Sequence, residues 1–245
     1  MCCRGVSCWP QTIVFVPPCK MRSTRGFHTA RLPAEKRIGP HNQDVMGVLV
    51  GNLLGDGHGE KRKNAARFHI QMSSRNAEYV FWLHTFFAER GYTSPKKPSV
   101  AKQIGKGNSV YLSIKFRTFS FRSLLNLYDA FYVEGGAGEG GWRKRVPPNI
   151  GSLLTEKSLS IWVMESGGRS GSGMKISTEG FSLSDTLLLQ GALRNRWSLE
   201  PTVQQSGGLF SLYFKKSDLQ QVDTLVRPHF LPCMLYKLET GKKQS

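Results

Sequence analysis

Leu49-Val50-Gly51-Asn52-Leu53-Leu54-Gly55-Asp56-Gly57 closes an apolar run on an aspartate and a glycine. The segment Leu159-Ser160-Ile161-Trp162-Val163-Met164-Glu165-Ser166-Gly167, 110 positions further on, closes a variant of that run on a serine and a glycine. A nine-residue pattern that returns once at this separation predicts a chain built twice around a shared axis. The difference near its end, Asp56 against Ser166, bears on the chemistry such a chain can perform.

The first copy begins inside residues 45–55, which read as a buried helix with Gln43-Asp44 at its start. Gly47, Gly51 and Gly55 recur every fourth residue and so share one helical face. A glycine inside a helix costs roughly 1 kcal/mol. A ridge of them makes sense where a second backbone approaches closely, as small residues allow between helices. The spacing therefore predicts direct helix-on-helix packing along this ridge.

Outward from that helix, residues 67–72 alternate as a strand, and 77–90 form an amphipathic helix ended by Gly91. Residues 99–103 and 109–116 read as a hairpin across a turn at 105–108, followed by a helix over 121–132. The run EGGAGEGG at 134–141 reads as a flexible linker. The order then repeats. A helix at 155–165 begins at Thr155 as N-cap, a strand follows at 174–177, and a helix spans 183–197. A hairpin of 202–205 with 209–214 turns at Gly207-Gly208, and a last helix covers 217–226. The expected organisation is a leader at 1–34, a first half at 35–133, a linker at 134–154, a second half at 155–238 and a tail at 239–245.

Lys and Arg number 34 against 17 acidic residues, a net charge of +17. Such an excess favours a polyanionic partner, because each cation that neutralises a phosphate releases counterions. Hydrophobic residues at 39% supply a core and argue against wholesale disorder. The first 34 residues hold Arg4, Lys20, Arg22, Arg25 and Arg31 and no acid, the composition of an organelle transit peptide. Removing those five charges from +17 still leaves +12 on the body. Mitochondria are the expected destination, with plastids second. Cys2, Cys3, Cys8 and Cys19 fall in that leader at spacings that match no zinc site, and Cys233 alone remains in the body as a small core residue. The apolar run at 45–54 is too short to span a bilayer, so no membrane is expected as partner.

The repeated pattern resembles the LAGLIDADG motif of homing endonucleases and their maturase relatives. Lys144-Arg145-Val146-Pro147-Pro148-Asn149 before Leu154-Thr155 is similar to the family's linker and second helix. His229-Phe230-Leu231-Pro232-Cys233-Met234-Leu235-Tyr236-Lys237-Leu238 is similar to its carboxy-terminal signature. Thr118-Phe119 and Phe131-Tyr132 fit as well, so the likeness covers nearly all of residues 43–238. It implies an α/β (α+β), monomeric, pseudo-twofold protein of two αββαββα-like halves. The motif helices would pack at the centre, and each half would offer a curved antiparallel sheet to nucleic acid. Arg67, His69, Gln71, Lys115, Arg117, Lys175 and Lys215 would then be base or phosphate contacts.

In cleaving relatives the acid at the eighth motif position holds a divalent metal, which activates water and stabilises the leaving oxygen. The matching residues are Asp56, as metal ligand, and Ser166, which supplies no anionic oxygen for a hard cation such as Mg²⁺. Glu165, one position earlier, is the candidate replacement. Lys144 and Lys237 match lysines that assist charge stabilisation or position phosphates. His58 follows the first motif, but the family pattern does not require a base there. The expected function is nucleic-acid binding in an organelle, recruited to RNA work: intron splicing, or ribosomal RNA on the mitoribosome. Cleavage is weakened or lost through Ser166. The alternative is an active Mg²⁺-dependent DNA endonuclease or nickase.

Overall fold

The computed structural model describes residues 32–104, 110–135 and 141–239. Helix α1 (Gln43–Leu54) starts where the Asn42 side chain accepts the Asp44 amide at 2.7 Å, a standard N-cap that satisfies one orphan donor. Strands β1 (His58–Arg62) and β2 (Ala65–Ser73), helix α2 (Ala77–Glu89), strands β3 (Ser99–Ile104) and β4 (Val110–Arg117) and helix α3 (Leu125–Phe131) complete the first half. A two-stranded ribbon of β5 (Tyr132–Glu134) and β6 (Trp142–Lys144), then one helical turn α4 (Ile150–Leu153), lead onward. The second half is α5 (Glu156–Ser166), β7 (Gly167–Ser170), β8 (Gly173–Ser177), α6 (Leu183–Trp197), β9 (Thr202–Ser206), β10 (Leu209–Phe214) and α7 (Leu219–Val226). Both halves read αββαββα, and their sheets run in the equivalent orders β1-β2-β4-β3 and β7-β8-β10-β9. All strand neighbours are antiparallel.

The motif helices α1 and α5 lie against each other at the centre, as the glycine ridge predicts. A Cβ at Gly51 would stand 2.5 Å from the Ile161 Cβ and 2.6 Å from the Ser158 carbonyl oxygen. At Gly47 it would meet Thr155 Oγ1 at 3.0 Å, and at Gly55 the Glu165 carboxyl. Leu49, Leu53, Ile161, Trp162 and Val163 are buried beside this seam, in one core cluster that runs through both halves. Each such side chain contributes about 1.5–3 kcal/mol of apolar burial. Thr155 caps α5 through a capping box with Ser158: Ser158 N–H donates to Thr155 Oγ1 at 3.1 Å, and Thr155 N–H to Ser158 Oγ at 2.7 Å.

Several elements depart from the sequence reading. Strands β1 and β7, which the αββαββα halves of the resemblance require, went unread in the residue patterns, because His58-Gly59-Glu60-Lys61-Arg62 and Gly167-Gly168-Arg169-Ser170 carry no apolar alternation. They form by pairing with β2 and β8 at the sheet edges. Residues 121–132 are not one helix: Phe121 bridges Ala66, Arg122–Leu124 make a 3-10 turn, and Tyr132 already belongs to β5. The last helix likewise opens with a 3-10 turn, Lys216–Asp218. Residues 136–140 of the expected linker lie outside the described residues; the rest of 134–154 holds β6, paired with β5, and the turn α4, where the sequence reading has no element. The turn at 105–108 and the leader as far as residue 31 lie outside the described residues. Cys233 is half-buried against the core and unpaired. No helix among the described residues is long and apolar enough to cross a membrane.

Candidate functional site

The motif ends meet at the bottom of the helix seam. α1 stops at Leu54, Gly55 donates its N–H to the Gly51 carbonyl at 2.9 Å, and Asp56 follows as an exposed residue. On the other side Glu165 is buried, and its carboxyl points into the protein rather than to solvent. Its Oε2 accepts the Asp56 backbone N–H at 2.9 Å, and its Oε1 accepts the Tyr79 hydroxyl at 3.0 Å. Ser166 ends α5 half-buried.

Two lysines reach these ends from equivalent places, each following its own half. Lys144, on β6, donates to the carbonyls of Gly55 at 3.2 Å and Gly57 at 2.9 Å. Lys237, in the 3-10 segment Pro232–Lys237, donates to the carbonyls of Met164 at 2.5 Å and Glu165 at 3.0 Å. The last carbonyls of a helix have no intrahelical donor and sit at the negative end of its dipole, so a cation stabilises them. Neither motif helix has a basic residue of its own in its last turn. The two lysines supply that charge from outside.

Burial pushes the Glu165 carboxyl up to about 8, the nearby Asp56 charge adds to this, and the hydrogen bonds from Asp56 and Tyr79 oppose it. Asp56 is raised too, by the protein crowded around its carboxyl, while Lys237 and Lys144 pull it down. The Asp56 side chain remains reachable from solvent and is the acid of this pair open to a ligand. Desolvation lowers Lys144 to about 8 and also lowers Lys237, with both carboxylates opposing.

A divalent cation at the junction would need hard oxygen donors. Of the motif residues only Asp56 offers a free carboxylate, because Glu165 has both oxygens engaged inside the protein and Ser166 carries no charge, while Glu179 lies near enough to raise the Asp56 carboxyl. No group of three or more His, Cys, Asp and Glu able to hold a metal occurs among the described residues. The donor set does not fit a centre that needs an acid from each motif.

The sheet residues singled out from sequence fall on two outward faces. On the first, register pairs His69 with Arg117 and Gln71 with Lys115, while Phe68, Ile70, Met72 and Ile114 point into the core. β1 adds His58 opposite His69 and Glu60 opposite Arg67. Arg67 donates to Glu60 Oε2 through Nε at 2.8 Å and Nη2 at 2.6 Å, and His69 Nε2 lies 2.7 Å from the same oxygen. Arg62 Nε sits 2.6 Å from Oε1. Desolvation would raise Glu60, but the hydrogen bonds from Arg67 and His69 outweigh it and hold the carboxyl at about 2. His58 stacks on His69 with centroids 4.8 Å apart, and burial lowers the pKa of both rings. Gln71, Lys115 and Arg117 stand beside them in one groove with Ser99.

The second face is less charged. Lys175 pairs with Tyr213, Ser177 with Ser211 and Gln204 with Ser211. Lys215 lies just beyond β10, its backbone N–H donating to Asp218 Oδ2 at 3.2 Å. Sequence reasoning missed Tyr79 and Glu60. Tyr79 meets Glu165 across 86 positions, which no local pattern signals. Glu60 is the single acid in the basic stretch from His58 to Arg67, and that was the available cue.

The profile of the LAGLIDADG DNA endonuclease family matches residues 46–222. Among curated proteins, cytochrome b mRNA maturase bI2 of Saccharomyces cerevisiae is 30% identical over 215 residues. That alignment takes in 86% of this chain and 51% of the maturase, so the chain spans about half the length of that relative. Intron-encoded endonuclease ai4 of Dictyostelium discoideum is 28% identical over 163 residues, 64% of this chain and 98% of the endonuclease. The solved structure of the homing endonuclease I-WcaI bound to its DNA recognition sequence shares the fold, with a TM-score of 0.72 at 21% identity over 82% of this chain and 88% of that one. With two αββαββα halves, motif helices joined at the centre and a family match over most of its length, this chain belongs to the LAGLIDADG DNA endonuclease family.

Proposed function

We propose that this protein binds structured nucleic acid along its two outward sheet faces and works on RNA, in intron splicing or on ribosomal RNA, with DNA cleavage weakened or lost. The observation that carries this reading is the end of the second motif helix. Ser166 stands at the acid position, and Glu165 is sealed into the seam by Asp56 and Tyr79. Binding needs none of that chemistry. The cations of the first face and the hydroxyls and amides of the second suit phosphate, ribose and base edges. The maturase names among the relatives support RNA as the target. The setting we propose is mitochondrial, on the composition of the first 34 residues, with the mitochondrial ribosome as the assembly for the ribosomal-RNA role and the protein acting as a monomer.

Full-length protein should bind a structured intron RNA and leave supercoiled DNA intact in magnesium buffer. Robust linearisation of DNA by the wild-type chain, abolished in Asp56→Asn, would overturn the reading. A second reading, a strand-selective nickase, is favoured by one feature: Asp56 is still reachable, with Lys144 and Lys237 nearby. In that case Mg²⁺ would be held through Asp56, and nicked circles would appear without linear product.

A further inference from the structure

Trp142 is the largest apolar side chain exposed among the described residues, with 51% of its surface open to solvent. An indole gains much from burial, so one left in water on a rigid mount points to a ligand. The mount is a stack of aromatic rings. Trp142 meets Tyr128 edge-on, with centroids 5.8 Å apart and planes at 67°. Tyr128 lies flat against Tyr132 at 4.5 Å and 10°, and the Gly59 N–H donates to the Tyr132 hydroxyl at 2.7 Å. Both tyrosines are buried, and a Cβ at Gly59 would stand 2.9 Å from the Tyr128 ring and 3.0 Å from the Tyr132 ring. The Trp142 backbone is held in β6 opposite Glu134 of β5.

This ring lies off the outward sheet face. His58 and Glu60 of β1 share that face with His69 and Arg67, so the alternate residues Gly59 and Lys61 turn to the other side, towards α3. Lys61 Nζ is 5.3 Å from the Trp142 ring centroid, but it is paired with Asp129 at 2.9 Å. It borders the indole and supplies no free charge there. The two chain segments that meet at the ring, Lys61-Arg62-Lys63 and Trp142-Arg143-Lys144-Arg145, carry basic residues and no acid. Aromatic rings set among basic residues are how proteins hold single strands. Bases inside a duplex have both faces covered by their neighbours, so an indole stacks on an unpaired base rather than on an intact helix.

We propose that Trp142 is a stacking platform for one unpaired nucleobase of a single-stranded segment, set apart from the two sheet faces. This rests on the nucleic-acid-binding reading above and adds that the ligand presents unpaired bases, as the loops and bulges of a folded RNA do. The ring is fixed by its tyrosine mount, so little conformational freedom is lost when a base settles on it.

Binding of the full chain to short oligo(U), oligo(dT) and duplex DNA tests the platform. Trp142→Ala should weaken single-strand binding about tenfold and leave duplex binding within about twofold of the wild type. Trp142→Phe should recover most of the loss, whereas Trp142→Leu, apolar but without a π-face, should not. Both of these keep an apolar body over Tyr128, so their comparison stands even where alanine destabilises the ribbon. A loss on either single strand supports the platform, and comparing the two shows which sugar it accepts. Trp142→Leu binding like Trp142→Phe would make the ring an ordinary apolar contact, and an equal loss on the duplex would make it a general one; either overturns the platform. Unchanged affinity in Trp142→Ala overturns it as well, as does a wild-type chain that binds the duplex alone, and both outcomes leave nucleic-acid binding standing. A wild-type chain with no affinity for any of the probes overturns both readings.

Discussion

Glu165 Oε2 accepts the backbone amide of Asp56 at 2.9 Å, so the seventh residue of one motif ties off the end of the other. The contact depends on Gly55, because a Cβ there would stand 2.3 Å from that same oxygen. Tyr79 takes the remaining carboxyl oxygen from α2. The carboxyl thus joins both motif helices and the first half's outer helix inside the core. Of the two motif acids at the junction, Asp56 is the one open to solvent.

This arrangement makes stability depend on pH with a definite sign. The Glu165 carboxyl titrates near 8 in the folded protein, against 4.5 ordinarily. The folded state therefore holds a proton that the unfolded state has released. Its contribution is complete below about 4.5 and declines as pH rises to about 8, by at most about 1.4 kcal/mol per pH unit. Lys144, lowered to about 8, changes charge only at and beyond the top of that window. Urea unfolding of wild type and Glu165→Gln across this range should show the variant gaining relative stability as pH rises. Parallel curves would contradict the assigned titration.

The glycine ridge predicts opposite outcomes for one substitution at two helical sites. Gly51→Ala places a methyl 2.5 Å from Ile161 and 2.6 Å from a backbone oxygen, which cannot yield cheaply. A loss of about 1–3 kcal/mol is expected from overpacking. At Gly191 in α6 nothing lies within 4 Å of the added carbon. Gly191→Ala should therefore stabilise by up to about 1 kcal/mol through helix propensity. Chemical denaturation of the two variants checks the pair.

The same ridge shows what the sequence made readable. Gly47, Gly51 and Gly55 announce their neighbour because helix geometry turns a four-residue spacing into one face. The structure gives α6 the bounds read from the sequence, Leu183–Trp197, and closes its start with Ser182 as cap. β1 and β7 were hidden because an edge strand needs only one partner and no apolar face, so His58–Arg62 looks like a polar loop. The centre was half legible: the motif located Asp56 and Ser166, but the direction of the Glu165 side chain depends on Tyr79, 86 positions away. The Glu60 clamp on Arg67 and His69 also depends on the hairpin register rather than on local order.

Lys144 and Lys237 should behave as equivalent helix-end supports. Lys144→Met leaves the carbonyls of Gly55 and Gly57 without this donor, and Lys237→Met does the same to Met164 and Glu165. Each should cost about 1–3 kcal/mol, from lost charge-assisted hydrogen bonds and a lost cation at the helix dipole. Thermal melts of the two variants should show similar losses. A loss confined to one lysine would break the proposed equivalence of the halves.

The final prediction concerns the acid position itself. Ser166→Asp puts a carboxylate at the half-buried end of α5, one residue from Glu165 and on the solvent side of the seam. If the missing charge is what limits strand scission, the variant should nick supercoiled DNA in magnesium buffer faster than the wild type. A carboxylate that stabilises the transition state by even about 1.4 kcal/mol gives roughly a tenfold gain. Adding Asp56→Asn should erase that gain, because the first motif's carboxylate would then be lost. If Ser166→Asp binds DNA as the wild type does and gains nothing, the block lies elsewhere, with the buried and engaged Glu165 as the first place to look.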